Sequence, residues 1–183
     1  MAAIHCLNMF FVQCGRFTLI PRLTSRAGPR IVLPDMTQLH ANCVAFDGLG
    51  ILLRGPSGSG KSDLSLRLIS RGAQLVSDDW TNIVAQNGVL VASAPDEIAG
   101  LMEIRGLGIV AGMALCPHAE ICVIADLVEP GADDIIDRMP DLASDILCGV
   151  SLPVWKINAF EASAPDKVKM ALALATGKMR IVS

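Results

Sequence analysis

The segment Gly55-Pro56-Ser57-Gly58-Ser59-Gly60-Lys61-Ser62 fits the pattern G-x-x-x-x-G-K-S at every position. Its glycines let the backbone fold tightly, so that successive N–H groups and the N-terminus of the next helix face an anion. In such a loop Lys61 reaches the outer phosphates of a bound polyphosphate and Ser62 holds a magnesium ion. The pattern needs a strand before it and a helix after it, and both are legible. Ile51 to Leu53 is a short apolar run, and after Ser62 the residues Leu64, Leu66, Leu68 and Ile69 alternate with Asp63, Ser65, Arg67 and Arg71 before Gly72, a residue suited to a left-handed helix stop.

The rest of the chain reads as α/β. Val44 to Phe46 and Ile51 to Leu53 flank Asp47-Gly48, and Asn82 to Ala85 and Val89 to Ala92 flank Asn87-Gly88. Both dipeptides supply the positive backbone angles of tight hairpins. Ala73 to Ser77, Ile121 to Val128 and Val154 to Asn158 read as further strands, and Asp166 to Thr176 as a closing helix stopped by Gly177. Gly100 to Gly112 is too interrupted to assign, and Glu129 to Asp141 reads as an acidic loop.

Chain geometry brings a second group of residues to the loop. A helix over 61–71 travels roughly 16 Å, and an extended stretch from Ala73 to Ser77 returns roughly the same distance. Asp78 and Asp79 therefore emerge at the carboxyl end of a strand beside the phosphate loop, where open α/β sheets place their ligands. Adjacent strand residues point to opposite faces, so both carboxylates reach one site only if the strand has already ended. One suits a magnesium shell and the other a base for an acceptor hydroxyl.

Length and composition limit the alternatives. At 183 residues the chain has room for about one domain. Fifteen basic and eighteen acidic side chains give no electrostatic footprint for a nucleic acid, and seven aromatics provide few stacking platforms. Mean hydropathy is +0.50, yet no apolar run approaches the roughly 18 residues of a spanning helix, so no membrane partner is expected. The six cysteines form no C-x-x-C pair and read as reduced, mostly buried thiols. Cys116 and His118 lack a second ligand pair for zinc.

Residues 1–34 carry four arginines and no acid, which leaves eleven basic against eighteen acidic residues beyond them. The apolar stretch precedes the arginines, the reverse of a secretory signal, while the acid-poor, Arg-rich composition is also that of an organelle transit peptide. The organisation expected is a poorly ordered N-terminal extension over 1–35 and a catalytic domain over 36–183.

With these residues in view, the chain resembles the catalytic domain of HPr kinase/phosphorylase. The resemblance is carried by Gly55 to Ser62, Arg71-Gly72, Ser77-Asp78-Asp79 and above all Met102-Glu103-Ile104-Arg105-Gly106-Leu107-Gly108-Ile109, over about residues 39–160. It implies a P-loop nucleotide-binding domain of the HPr kinase/PEP carboxykinase-like type, with a mixed sheet and flanking helices, similar to short forms found in some bacteria. It also implies a cytoplasmic kinase that uses ATP and Mg²⁺ to phosphorylate a serine of the phosphocarrier HPr, often as a hexamer. By resemblance, catalysis rests on His40, Lys61, Asp79 and Arg138 with Asp78 beside them, and Ser62, Asp78 and Glu103 serve Mg²⁺. Arg105 brings a planar donor fork near the phosphates. Many members also reverse the reaction with inorganic phosphate, and these carry a basic loop after the last strand; here that stretch reads Ile157-Asn158-Ala159-Phe160-Glu161-Ala162-Ser163, without cations, so the resemblance implies the kinase and leaves the phosphorylase reaction open. The rival readings are a small-molecule kinase on the same scaffold and a non-catalytic, nucleotide-gated regulator.

Overall fold

The computed structural model describes residues 36–129, 131 and 136–182. The N-terminal extension expected over 1–35 lies outside them.

Both hairpin dipeptides do what their chemistry requires. β2 (Asn42–Phe46) and β3 (Leu49–Arg54) pair antiparallel across Asp47 and Gly48, at φ +52° and +78°. β5 (Trp80–Gln86) and β6 (Val89–Ser93) pair in the same way across Asn87 and Gly88, at φ +52° and +84°. The helix after the phosphate loop is α1 (Lys61–Ile69), and Gly72 lies in the left-handed region at φ +95°. β4 (Gln74–Ser77) follows, and later β9 (Ala119–Leu127), β11 (Val150–Ile157) and α2 (Ala164–Ala175).

Two strands fall where none was expected. β1 (Met36–His40) runs antiparallel to β5, so His40 ends a strand of its own. β10 (Ala143–Leu147) pairs antiparallel with β11. The glycine-rich stretch is itself a hairpin, β7 (Leu101–Ile104) with β8 (Gly108–Ala111), turned through Gly106 and Gly108 at φ +88° and +102°.

Apart from β7 and β8, the strands of the described residues form one mixed sheet in the order β1-β5-β6-β9-β3-β2-β4, with β11 paired to β9 and β10 to β11. β3, β9 and β11 are mutually parallel, and β2 runs antiparallel to β3 and to β4. The carboxyl ends of β3, β4, β9 and β11 and the start of β2 therefore lie at one sheet edge, where a binding crevice forms.

Alternation along the central strands feeds two cores. Ile51, Leu53, Val123 and Ala125 pack with Leu64 and Leu68 of α1 and Val168 and Leu172 of α2. Leu52 and Ile124 point the other way and pack with Val76, Ile83, Leu90 and Leu152. Each buried Val, Ile or Leu side chain contributes about 1.5–3 kcal/mol, so the strand that launches the phosphate loop is anchored on both faces. No helix among the described residues is long and apolar enough to cross a membrane. Among the described cysteines Cys43 and Cys116 are buried, Cys122 is half-buried and Cys148 is exposed, all as free thiols. Burial pushes the Cys43 thiol well up, which keeps it protonated.

Candidate active site

The phosphate loop leaves β3 at Gly55 and enters α1 at Lys61. Gly55, Gly58 and Gly60 sit at φ +152°, +82° and +89°. A Cβ on Gly55 would meet Ser59 Oγ at 2.6 Å and the Leu127 carbonyl oxygen at 2.8 Å, and one on Gly60 would meet the Ala159 Cβ at 2.9 Å. Only glycine satisfies both the angle and the space there. A turn closes inside the loop where Ser59 N donates to Pro56 O at 3.2 Å. Ser59 is fully buried and its hydroxyl has no hydrogen-bond partner. Gly60 caps α1 without a side-chain bond, which leaves the first helical amides open. Lys61 is buried, and its ammonium donates to the carbonyl oxygens of Gly55 and Pro56 at 3.0 and 3.2 Å.

The chain returns to this loop as its spacing requires. Asp78 Oδ1 accepts from the Ser62 hydroxyl at 3.1 Å, and Asp78 Oδ2 accepts from the backbone N–H of Glu103 at 3.0 Å. The second bond joins the β7–β8 hairpin to the acid pair. Burial pushes the Asp78 carboxyl above the usual carboxylate range, opposed by these same two bonds and reinforced by the nearby Asp79 and Glu103 charges.

β4 ends at Ser77, and Asp79 takes φ +63°. The break frees the two carboxylates from strand alternation. The Ser77 hydroxyl donates to the Trp80 carbonyl across the turn. Asp79 is half exposed, with Oδ1 3.9 Å from His40 Nε2, and the His40 ring rests against Trp80 at 5.3 Å between centroids. A cavity of about 560 Å³ gathers His40, Lys61, Ser62, Asp79, Glu103 and Arg105, with Ser57, Gly58, Leu66 and Phe160 also in its wall.

Arg138 is the exception among the residues sought. It is exposed and does not line this cavity. Its neighbour Asp137 lines a separate cavity of about 420 Å³ with Arg54, Asp126 and Asp145. There Arg54 forks onto Asp126 at 2.7 and 2.9 Å and reaches Asp145 at 2.6 Å.

Two residues escaped the sequence. Asn42, fully buried at the start of β2, donates to Asp78 Oδ1 at 2.5 Å and accepts from the backbone N–H of Asp79 at 3.2 Å. The one signal was an amide side chain opening an otherwise apolar strand, where asparagine is disfavoured. Phe160 is the other, and it follows β11 rather than any recognisable motif.

The sequence model of the HPr serine kinase C-terminal domain matches residues 32–168. The chain belongs to that family. An HPr kinase/phosphorylase of an Exiguobacterium species is 41% identical over 115 residues, which cover 58% of this chain and 37% of that protein. The HPr kinase/phosphorylase of Clostridium tetani is 38% identical over 134 residues, covering 69% of this chain and 43% of the relative. The family member thus spans well under half of these relatives' length. The solved structure of the HPr(Ser) kinase/phosphatase from Coxiella burnetii superposes with a TM-score of 0.66 at 29% identity, covering 78% of this chain and 92% of that one. The α/β, P-loop-type architecture is therefore that of the HPr kinase family.

Proposed function

We propose that this chain is a serine kinase acting on the phosphocarrier HPr with ATP and Mg²⁺ in the bacterial cytoplasm. The observation that carries the reading is the 3.1 Å bond between Ser62 at the head of α1 and Asp78 at the end of β4, with Asp79 facing the same cavity.

The donor set suits the groups invoked. A hydroxyl and a buried carboxylate side by side match magnesium, which takes one or two carboxylates and completes its shell from phosphate and water. Among the described residues no three His, Cys, Asp or Glu side chains converge into an all-protein cage. The glycine cradle with its open helical amides suits a polyphosphate. When bound, the nucleotide supplies the phosphoryl group and magnesium neutralises its outer oxygens.

This chain's residues divide the remaining work. Ser62 and Asp78 hold the metal side, with Glu103 next to Asp78 through its backbone N–H and in the same cavity wall as Ser62. Lys61 exchanges its two carbonyl partners for phosphate oxygens. Asp79, half exposed and beside His40, accepts the proton of the incoming serine hydroxyl, and Arg105 adds positive charge in the cavity wall. Such a site acts by positioning and electrostatic stabilisation. The role of Arg138 rests on the family resemblance, since the cavity is built without it.

Phosphorolysis is not part of the proposal. Holding free phosphate needs cationic donors, and the loop after β11 presents Phe160 and Glu161, with Glu161 paired to Lys167. Arg67, the guanidinium nearest that loop, is committed to its backbone carbonyls. The test is incubation of the purified chain with HPr, ATP and Mg²⁺, followed by excess phosphate. Phosphoserine on HPr with no later release of pyrophosphate is the expected result; unmodified HPr alongside a phosphorylated metabolite would move the assignment to a small-molecule kinase.

A further inference from the structure

The sheet order separates two walls of the cavity. β2 and β4, which deliver Asn42 and the acid pair, lie on one side of the strand that launches the phosphate loop; β9 and β11 lie on the other. The reacting end of a nucleotide belongs beside Ser62 and Asp79. Its nucleoside end then leaves the cradle toward the β11 side, where the chain emerges at Asn158 to Phe160.

Phe160 occupies that side. Its Cζ and Cε1 atoms lie 3.4 and 3.6 Å from the position that a Cβ on Gly60 would take, so the ring stands directly against the phosphate loop. It lines the cavity with Leu66 and is still 52% exposed. An apolar ring left half open at the wall of a polar cavity gains free energy from whatever covers it.

The ring is also held in place. Phe160 N donates to Asn158 Oδ1 at 2.9 Å. The Arg67 guanidinium, projecting from α1, donates to the carbonyl oxygens of Ala159, Glu161 and Ala162 at 2.6, 2.7 and 3.3 Å. The loop is thereby tied to the helix that the phosphate loop opens, and the ring and the cradle keep a fixed relation. A preorganised surface loses less freedom when its ligand binds.

We propose that Phe160, with Leu66 in the same cavity wall, forms a nucleoside subsite, the platform on which the base of a bound nucleoside triphosphate stacks. The inference rests on the nucleotide reading of the phosphate loop and adds the part of the ligand that the loop does not touch. Stacking on an aromatic face tolerates any base, because every base has a π-face. The subsite therefore accepts adenine and guanine nucleotides alike.

The test is calorimetric titration of the full chain in Mg²⁺ with ATP and, separately, with tripolyphosphate, with no acceptor protein present. Wild type should bind ATP more tightly than tripolyphosphate. Phe160→Ala should weaken ATP at least about fivefold and leave tripolyphosphate within about twofold, and Phe160→Trp should restore ATP binding. Equal weakening of both ligands would make the ring a support for the cradle and overturn the proposal. Unchanged ATP affinity in Phe160→Ala would show that no base stacks on the ring and overturn it equally. If wild type binds tripolyphosphate as tightly as ATP, the subsite fails while the phosphate loop stands; if it binds neither, both readings fall.

Discussion

Asn42 Nδ2 lies 2.5 Å from Asp78 Oδ1, and Asn42 Oδ1 receives the backbone N–H of Asp79 at 3.2 Å. The same amide nitrogen is 3.3 Å from both Ser62 Oγ and Ser65 Oγ. One buried side chain thus touches the residue proposed for the metal and the backbone of the residue proposed as base. It also reaches two hydroxyls of α1. The left-handed turn at Asp79 thus has its amide proton satisfied by the Asn42 side chain.

Replacing Asn42 with aspartate sets a second carboxylate against Asp78 while keeping an acceptor for the Asp79 amide. Two like charges at this distance raise the proton affinity of the pair, and burial already raises that of Asp78. The folded state then binds protons more readily than the unfolded chain, so stability is lost as pH rises above the ordinary carboxylate range and recovered as it falls. Asn42→Asp should be less stable than wild type by at least about 1–3 kcal/mol near neutral pH, the cost of an unsatisfied buried group, and the gap should narrow toward pH 5. Urea denaturation at several pH values measures it.

Gly60 and Gly58 share a positive φ but differ in surroundings. A Cβ on Gly58 meets nothing within 4 Å, whereas one on Gly60 meets Ala159 Cβ at 2.9 Å. Gly58→Ala should cost only the left-handed strain of about 1–2 kcal/mol. Gly60→Ala should cost more and displace the loop that carries Phe160. Denaturant midpoints of the two variants rank them.

How much of this was legible depended on the reach of each interaction. Asp47-Gly48 and Asn87-Gly88 determine their own backbone angles, so both hairpins could be read locally, as could the strand, loop and helix around Lys61. The return of Asp78 followed from rise per residue alone. β10 was hidden because its residues, Ala143 to Leu147, are mostly exposed and show no apolar alternation. The β7–β8 hairpin was masked by the glycines that form its turn. Asn42 and Phe160 gain their roles from partners far along the chain, Asp78 and the Gly55–Ser62 loop, and no spacing rule encodes those meetings.

Arg54 ends the strand that launches the phosphate loop and ties it to Asp126 and Asp145. Its guanidinium, together with a backbone bond from Ile146, holds the Asp145 carboxyl below the usual range. A lowered carboxylate pKa contributes stability that is present above the ordinary value and lost as pH falls toward the lowered one. Asp145 is partly exposed, so the effect is small. The stability difference between Asp145→Asn and wild type should be present at neutral pH, vanish in acid, and shrink with added salt, as thermal melts will record.

Asp79→Asn separates binding from chemistry. The amide keeps the shape of the side chain and removes its capacity to take a proton. Nucleotide affinity should stay near wild type while phosphoryl transfer falls by about 10²–10⁴-fold, the usual worth of a positioned base. Loss of Mg²⁺-dependent nucleotide binding instead would put Asp79 among the metal ligands.

The most direct trial of the account is the rate of phosphoserine formation on HPr, with labelled ATP and Mg²⁺, by wild type and Lys61→Ala. Among the described residues, Lys61 is the one lysine that lines the cavity. Transfer by wild type and its loss in the variant, with the fold retained, is the predicted outcome. Labelling of HPr by Lys61→Ala at near wild-type rate would contradict the assignment of this loop as the site of the reaction.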